Sequence, residues 1–256
     1  MNSVAIIVPY RDQEGQNRLK QLNVFLAHMK HMMGLLMKDQ QIKEYHIYVI
    51  EQSHDLKFNR GLLLNIGAHL AHTSHNTLIF HDVDLLPEND LRHWYACTPS
   101  KGKPIHIAAC WKDRYTGPGY FGGIVSFLAK DFQQVNGFPN SFWGWGGEDD
   151  ALRERCLQNG FRIEKVKEGK IYDMETDPDG KAMDLGHKLA VLKANPDWKC
   201  SDKWEQRAFD LDNWMINGLQ QIDTMCQLIS METDEYVTLV QVKVTDDSCR
   251  SDNLDD

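Results

Sequence analysis

Thr77-Leu78-Ile79-Phe80-His81-Asp82-Val83-Asp84 is a short apolar run that ends directly in two carboxylates. A run of that length between polar neighbours reads as a buried strand. Upstream, Val4 to Val8 and Tyr45 to Ile50 read as further strands, with Pro9 expected to stop the first. Between those strands Leu19, Leu22, Phe25, Leu26, Met29, Met32, Met33 and Leu36 recur at helical spacing, predicting an amphipathic helix from Asn17 to about Lys38. Arg60 to His72 predicts a second helix, opened near Asn59. Strand, helix, strand, helix, strand predicts an α/β protein with a mostly parallel central sheet flanked by helices and joined by right-handed crossovers. In such sheets ligands gather at the carboxyl ends of the strands, which is where Asp82 and Asp84 fall.

Further along, Ile105 to Cys110 and Ile124 to Leu128 read as strands on either side of the Gly- and Tyr-bearing segment Arg114 to Gly123. Glu148 to Asn159 reads as a helix stopped by Gly160, and Val237 to Val244 as a late edge strand. Between Asp177 and Gln220 the periodicity weakens into helices and long loops. With 256 residues, 42% hydrophobic and 25% charged, the chain fits one globular domain over 1–244, with a first half to about 110 and a second from about 111. The last stretch, 245–256, carries five aspartates against Arg250 and reads as an acidic disordered tail.

The composition also excludes classes of function. A net charge of −9 and a pI near 5.6, without any run of Lys and Arg, argue against nucleic acid as a partner. No stretch approaches the ~18 consecutive apolar residues of a spanning helix. A strand starts almost at Met1, so the sequence predicts a cytoplasmic protein without a signal peptide or membrane span. The six cysteines form no CxxC pair and read as reduced thiols.

Two acidic constellations carry the chemistry. On an extended backbone Asp82 and Asp84 would point to one side and converge on a ligand, and paired carboxylates suit Mg²⁺ or Mn²⁺ holding a diphosphate. A polar turn is the plainer account of the same triplet. Asn140-Ser141-Phe142-Trp143-Gly144-Trp145-Gly146-Gly147-Glu148-Asp149-Asp150 is richer. Acids in the first turn of a helix complement its dipole, yet that leaves the tryptophans unexplained. Indole faces on glycine-rich backbone suit stacking against a sugar, and an adjacent carboxylate suits a general base.

Val8-Pro9-Tyr10-Arg11, Phe58-Asn59-Arg60-Gly61-Leu62-Leu63-Leu64-Asn65-Ile66-Gly67, Asp82-Val83-Asp84, Tyr120-Phe121-Gly122-Gly123, Asn136-Gly137-Phe138-Pro139-Asn140 and Trp143 to Asp150 stand in one order along the chain. Together they resemble the β-1,4-galactosyltransferase family over about residues 4 to 177, with a weaker echo at Asn217-Gly218-Leu219. The resemblance implies a GT-A type, Rossmann-like fold and an inverting, Mn²⁺-dependent transfer of galactose from UDP-galactose to a saccharide hydroxyl, with Mg²⁺ as the alternative metal. By motif position it implies that Pro9, Tyr10, Arg11, Phe58 and Arg60 contact the nucleotide, and that Asp82 and Val83 border the donor. Asp84 would bind the metal. Tyr120 and Gly123 would line the galactose site, Tyr120 disfavouring an N-acetyl group. Trp145, Gly146, Glu148 and Asp150 would meet the acceptor, with Trp145 shared with the donor, and Asp149 would be the catalytic base.

The sequence departs from the family pattern in places. Where the family completes its metal site with Met-x-x-His or His-x-His, this chain has Tyr172-Asp173-Met174-Glu175-Thr176-Asp177. Met174 and Asp177 are then the expected ligands beside Asp84, with Met174 in the core and Asp177 in a turn as the plainer account and His187 as an outside candidate. Gln13 stands where relatives often carry a second Arg, and the 180–212 region, with Trp198 and Trp204, leaves the acceptor open. Rival readings are an N-acetylhexosamine transferase of the same fold, a non-catalytic sugar-binding module and, least fitting, a phosphatase using Asp-x-Asp.

Overall fold

The computed structural model describes residues 1–12, 16–53, 56–111, 119–175 and 183–245. In chain order these form β1 (Asn2–Tyr10), α1 (Arg18–Lys38), β2 (Ile42–Gln52), α2 (Arg60–Ala71), β3 (Thr77–His81), β4 (Leu85–Pro87), α3 (Arg92–Ala96), β5 (Ile105–His106) and β6 (Ile124–Leu128). There follow α4 (Ala129–Gln134), α5 (Glu148–Gln158), β7 (Glu164–Lys165), β8 (Ile171–Asp173), α6 (Leu185–Ala194), α7 (Lys203–Asn213), α8 (Ile222–Met225), β9 (Cys226–Thr233) and β10 (Val237–Val244).

One sheet runs β7-β5-β6-β3-β1-β2-β10-β9 and so draws strands from both halves of the chain. Its centre, β3-β1-β2-β10, is parallel, whereas β6 pairs antiparallel with β3 and β5, and β9 antiparallel with β10. Alternation along β1 explains the two-sided core. Val4, Ile6 and Val8 share a cluster with Leu22, Phe25, Met29 and Met33 of α1. Ala5 and Ile7 share the other with Leu64 and Ala68 of α2 and the phenylalanines Phe80, Phe127, Phe132 and Phe138.

Three expectations need correction. β1 does not stop before Pro9: it stays in register with β2 as far as Tyr10↔Glu51. The ladder to β3 ends at Ile7↔Phe80, so beyond that point β1 is an edge on one side, where a missing N–H is tolerated. Val237–Val244 is not an edge strand, because β9 covers it. Ile105 to Cys110 is a strand only at Ile105–His106 and then tightens into a 3₁₀ turn. The acidic tail lies outside the described residues from 246 onward. Among the described residues no helix is long and apolar enough to cross a membrane.

Candidate active site

A cleft of about 1140 Å³ opens at the carboxyl ends of the central strands. Pro9, Tyr10 and Arg11 enter it from the end of β1. Arg11 donates from Nη1 to the Leu56 carbonyl at 2.7 Å and lies over the Phe58 ring at 5.3 Å. Phe58 and Arg60 are placed by the cap of α2. Asn59 Oδ1 accepts from the Leu62 amide at 3.0 Å, its own amide donates to Gln52 Oε1, and its side-chain nitrogen donates to the Asn140 carbonyl. Asn65, Asn140 and Asn217 continue that network: Asn65 donates to Asn140 Oδ1, and Asn217 Oδ1 accepts from the Asn140 amide. The 136–140 and 217–219 motifs are therefore linked scaffolding beneath the cleft.

The Asp-x-Asp segment is a turn and not an extended strand, since the Leu85 amide closes on the Asp82 carbonyl. The two carboxylates border the same cleft but meet different cations. Asp82 Oδ1 accepts from Arg60 Nε at 2.8 Å, and Asp84 Oδ2 lies 2.7 Å from Arg18 Nη1. Arg60 also reaches Glu148 Oε1 at 3.3 Å, tying α2, the β3 turn and α5 together.

Glu148, Asp149 and Asp150 occupy the first turn of α5, where backbone N–H groups favour negative charge. Glu148 is buried, and burial raises its pKa against the pull of Arg60. Asp149 is pushed up to about 7, first by burial, then by its neighbours Glu148 and Asp150. Gly122 makes room for it: a β-carbon there would collide with Asp149 Oδ2 and crowd Tyr120. Gly123, at φ +75°, likewise leaves space for the Tyr120 hydroxyl.

The two tryptophans of the glycine-rich loop part ways. Trp143 packs against the apolar cluster around Leu62 and Val240, whereas Trp145 lines the cleft. The backbone of Trp145 is held: its amide donates to the Trp198 carbonyl at 2.7 Å and its carbonyl accepts from the Cys200 amide at 3.1 Å. Trp111 and Trp198 supply further indoles to the cleft.

Of the expected metal ligands, Asp84 faces the cleft, Met174 packs its side chain against the core cluster beside α1, and Asp177 lies outside the described residues. His187 is exposed and lies 3.3 Å from Asp184. Asp84, Asp173 and Glu175 instead each offer an oxygen within 4.8 Å of the others. Pairing of β4 with β8 produces this, setting Leu85 opposite Asp173 and bonding the Met174 amide to the Asp84 carbonyl at 2.8 Å. Arg18 Nη2 lies 3.5 Å from Glu175, and Lys188 Nζ donates to both Glu175 oxygens at 2.7 and 2.8 Å. Arg18, Glu175 and Lys188 were not singled out in the sequence, because only the folded chain brings residues 18, 175 and 188 together. The remaining expected residues, from Val83 through Gly146 and Asp150, all border this cleft.

Two family models match the chain: one described as the N-terminal region of glycosyl transferase group 7 over residues 1–98, and one described as the N-terminal domain of galactosyltransferase over residues 102–177. Rattus norvegicus β-1,4-galactosyltransferase 6 is 40% identical over 165 residues, covering 62% of this chain and 40% of that protein. Mus musculus β-1,4-galactosyltransferase 4 is 35% identical over 210 residues, covering 78% of this chain and 56% of that protein. The chain thus spans about half the length, or less, of these curated relatives. The catalytic domain of Drosophila β-1,4-galactosyltransferase 7, crystallised with xylobiose, matches with a TM-score of 0.75 at 26% identity over 98% of each chain. A mutant of that enzyme, in complex with manganese, UDP-Gal and xylobiose, matches with a TM-score of 0.73 at 24% identity over 98% of each chain. The fold is of the GT-A type, and the chain belongs to the β-1,4-galactosyltransferase family.

Proposed function

We propose that this chain transfers galactose from UDP-galactose to a hydroxyl of a saccharide acceptor, forming a β linkage with inversion, and that Asp149 is the general base. The observation that carries this reading is a cleft-lining carboxylate whose pKa is raised to about 7 beside two further acids. A base poised near the working pH combines a populated ionised form with a useful affinity for the proton. The Drosophila relative bound to manganese, UDP-Gal and xylobiose supports the same class of donor and acceptor.

In this mechanism the acceptor hydroxyl attacks the anomeric carbon, its proton passes to an Asp149 oxygen, and the bond to the diphosphate breaks with its electron pair leaving on UDP. One carboxylate is enough for the proton, unlike the acid and base pair of a hydrolase. Arg11 and Phe58 form the nucleotide side, joined by Pro9 and Tyr10. Arg60 fixes Asp82 toward the donor, where Val83 also lies, and Tyr120 and Gly123 shape the galactose pocket. Trp145, Gly146, Glu148 and Asp150 face the acceptor.

The donor set Asp84, Asp173 and Glu175 fits a hard divalent cation such as Mn²⁺ or Mg²⁺, being three carboxylates within 4.8 Å of one another. A cation held there supplies positive charge to the departing diphosphate. Arg18 supplies counter-charge to Asp84 and Glu175, and Lys188 to Glu175. We favour this set over one containing Met174, because Met174 packs into the core.

The test is release of UDP from UDP-galactose with Mn²⁺, with and without chelator, across glucose, N-acetylglucosamine, xylose and galactose as acceptors. Metal-dependent release stimulated by one of these sugars is expected. A protein that neither binds nor consumes UDP-galactose would overturn the reading.

A further inference from the structure

The wall of the cleft contributed by α6 is apolar but for one charge. Leu185, Lys188, Val191 and Leu192 fall at helical spacing on the face that lines the cleft, and Lys188 is the only ionised residue among them. Asp184 caps the helix by accepting from the His187 amide at 2.8 Å, and Lys188, in the turn that follows, meets Glu175 just beyond β8.

The two cations beside Asp84, Asp173 and Glu175 are held differently. Arg18 is fixed from several sides: Nε donates to Gln16 Oε1 at 3.2 Å, and Nη1 donates to Gln21 Oε1 at 2.8 Å and to Asp84 Oδ2 at 2.7 Å. Lys188, among the described residues, hydrogen-bonds only to Glu175, engaging both carboxylate oxygens. Its ammonium lies 5.9 Å from the Trp145 ring. Its charge is also felt at Asp82, a carboxyl whose pKa burial raises and Arg60 pulls down. A lysine with one hydrogen-bonded partner, on a flexible four-carbon stem, can exchange that partner without disturbing its helix.

Glu175 cannot serve Lys188 and a divalent ion together. Its oxygens belong to the set that fits Mn²⁺ or Mg²⁺, and Lys188 engages both of them. The ammonium is repelled by any divalent ion placed there, at a range where Coulomb forces are strong. Three carboxylates face two side-chain cations, so a divalent ion turns a local excess of negative charge into an excess of positive charge, which a diphosphate then balances.

We infer that Lys188 is a diphosphate-binding residue held in reserve: it leaves Glu175 when a divalent cation takes that carboxylate, and its ammonium then pairs with a phosphate oxygen of the donor. Arg18, committed to Asp84 and two glutamines, stays in place. This inference rests on the transferase reading above and adds to it a residue that meets the donor only once the cation is bound.

The test measures two bindings to the full chain and to Lys188→Met and Lys188→Arg: Mn²⁺ alone, by loss of the free-ion paramagnetic resonance signal, and UDP by calorimetry, with saturating Mn²⁺ or with chelator. Mn²⁺ alone should bind Lys188→Met several-fold more tightly, because the competing ammonium is gone. It should bind Lys188→Arg several-fold more weakly, because a guanidinium fork grips both oxygens of a carboxylate. UDP should bind Lys188→Met about tenfold or more weakly with Mn²⁺, the loss of one charge-assisted hydrogen bond, and within about twofold of wild type with chelator. Mn²⁺ binding that is unchanged in both variants, or weakened in Lys188→Met, would overturn the inference and leave Lys188 as a strut for Glu175. An equal loss of UDP affinity with and without Mn²⁺ would overturn it as well, since Lys188 would then reach the phosphate without leaving Glu175. The transferase reading fails separately, if no sugar elicits UDP release while the Mn²⁺-dependent loss of UDP affinity in Lys188→Met persists.

Discussion

Asp149 sets its carboxylate in the space that a β-carbon on Gly122 would fill, so the reach of the base into the cleft depends on a glycine just before β6. Gly122→Ala should displace Asp149, Tyr120 or both. A shift of about an ångström at a reacting group costs on the order of 10²-fold in rate. We expect kcat to fall by that order while UDP affinity, measured by calorimetry, stays within about twofold. Unchanged turnover would show that the two residues do not constrain each other.

Asp149→Asn should lower kcat by about 10²- to 10⁴-fold and leave UDP binding intact. In the wild type the acid limb of kcat/KM should bend near pH 7, because Asp149 is protonated below that and cannot accept a proton. The stability effect has the opposite sense. Burial and Glu148 raise this carboxyl in the fold, so its ionisation costs stability that is absent below about pH 4, builds as pH rises toward 7 and is complete above about 7. Asp149→Asn should therefore raise Tm at pH 8 and not at pH 4, as differential scanning calorimetry would read.

Asp84→Ala, Asp173→Asn and Glu175→Gln should each weaken Mn²⁺ binding, followed by loss of the free-ion paramagnetic resonance signal, by about tenfold or more. Met174→Leu should leave it unchanged. A loss with Met174→Leu and none with the acids would return the thioether to the metal site.

Tyr120→Leu should shift donor preference toward UDP-N-acetylgalactosamine. The ring stands against Gly123 and lies edge-on to His106 at 5.1 Å, so shortening it opens the pocket without a new collision. The readout is the ratio of kcat/KM for the two donors; a constant ratio would remove Tyr120 from the sugar pocket.

Arg155→Met should destabilise the fold by about 3–5 kcal/mol, since it strands Asp210 in the interior. Arg155 is 1% exposed and also donates to the Asn136 and Gly137 carbonyls at 3.1 and 2.8 Å. Chemical denaturation would show the loss.

The parallel centre of the sheet was legible because β1 and β3 are buried apolar runs, β2 alternates, and the periodic α1 separates β1 from β2. β9 was not, since Cys226–Thr233 is exposed on both sides and lacks the alternation that a half-buried strand shows. The cleft-lining blocks were readable from their motifs because each is local in sequence. The counter-charges were not. Arg18 reads as an ordinary first-turn residue of α1, and only pairing of β4 with β8 shows that Asp173 and Glu175 join Asp84. Spacing along the turn after β3 likewise said nothing about Asp82 meeting Arg60 while Asp84 meets Arg18.

The peptide of Trp145 is bonded on both sides to the segment that follows α6, at Trp198 and Cys200. Those two bonds make the amides of Trp145 and Cys200 natural reporters of how often the roof of the cleft lifts. Their hydrogen-exchange rates would slow together as UDP-galactose is added if the roof detaches as a unit, giving an opening free energy without any turnover being measured.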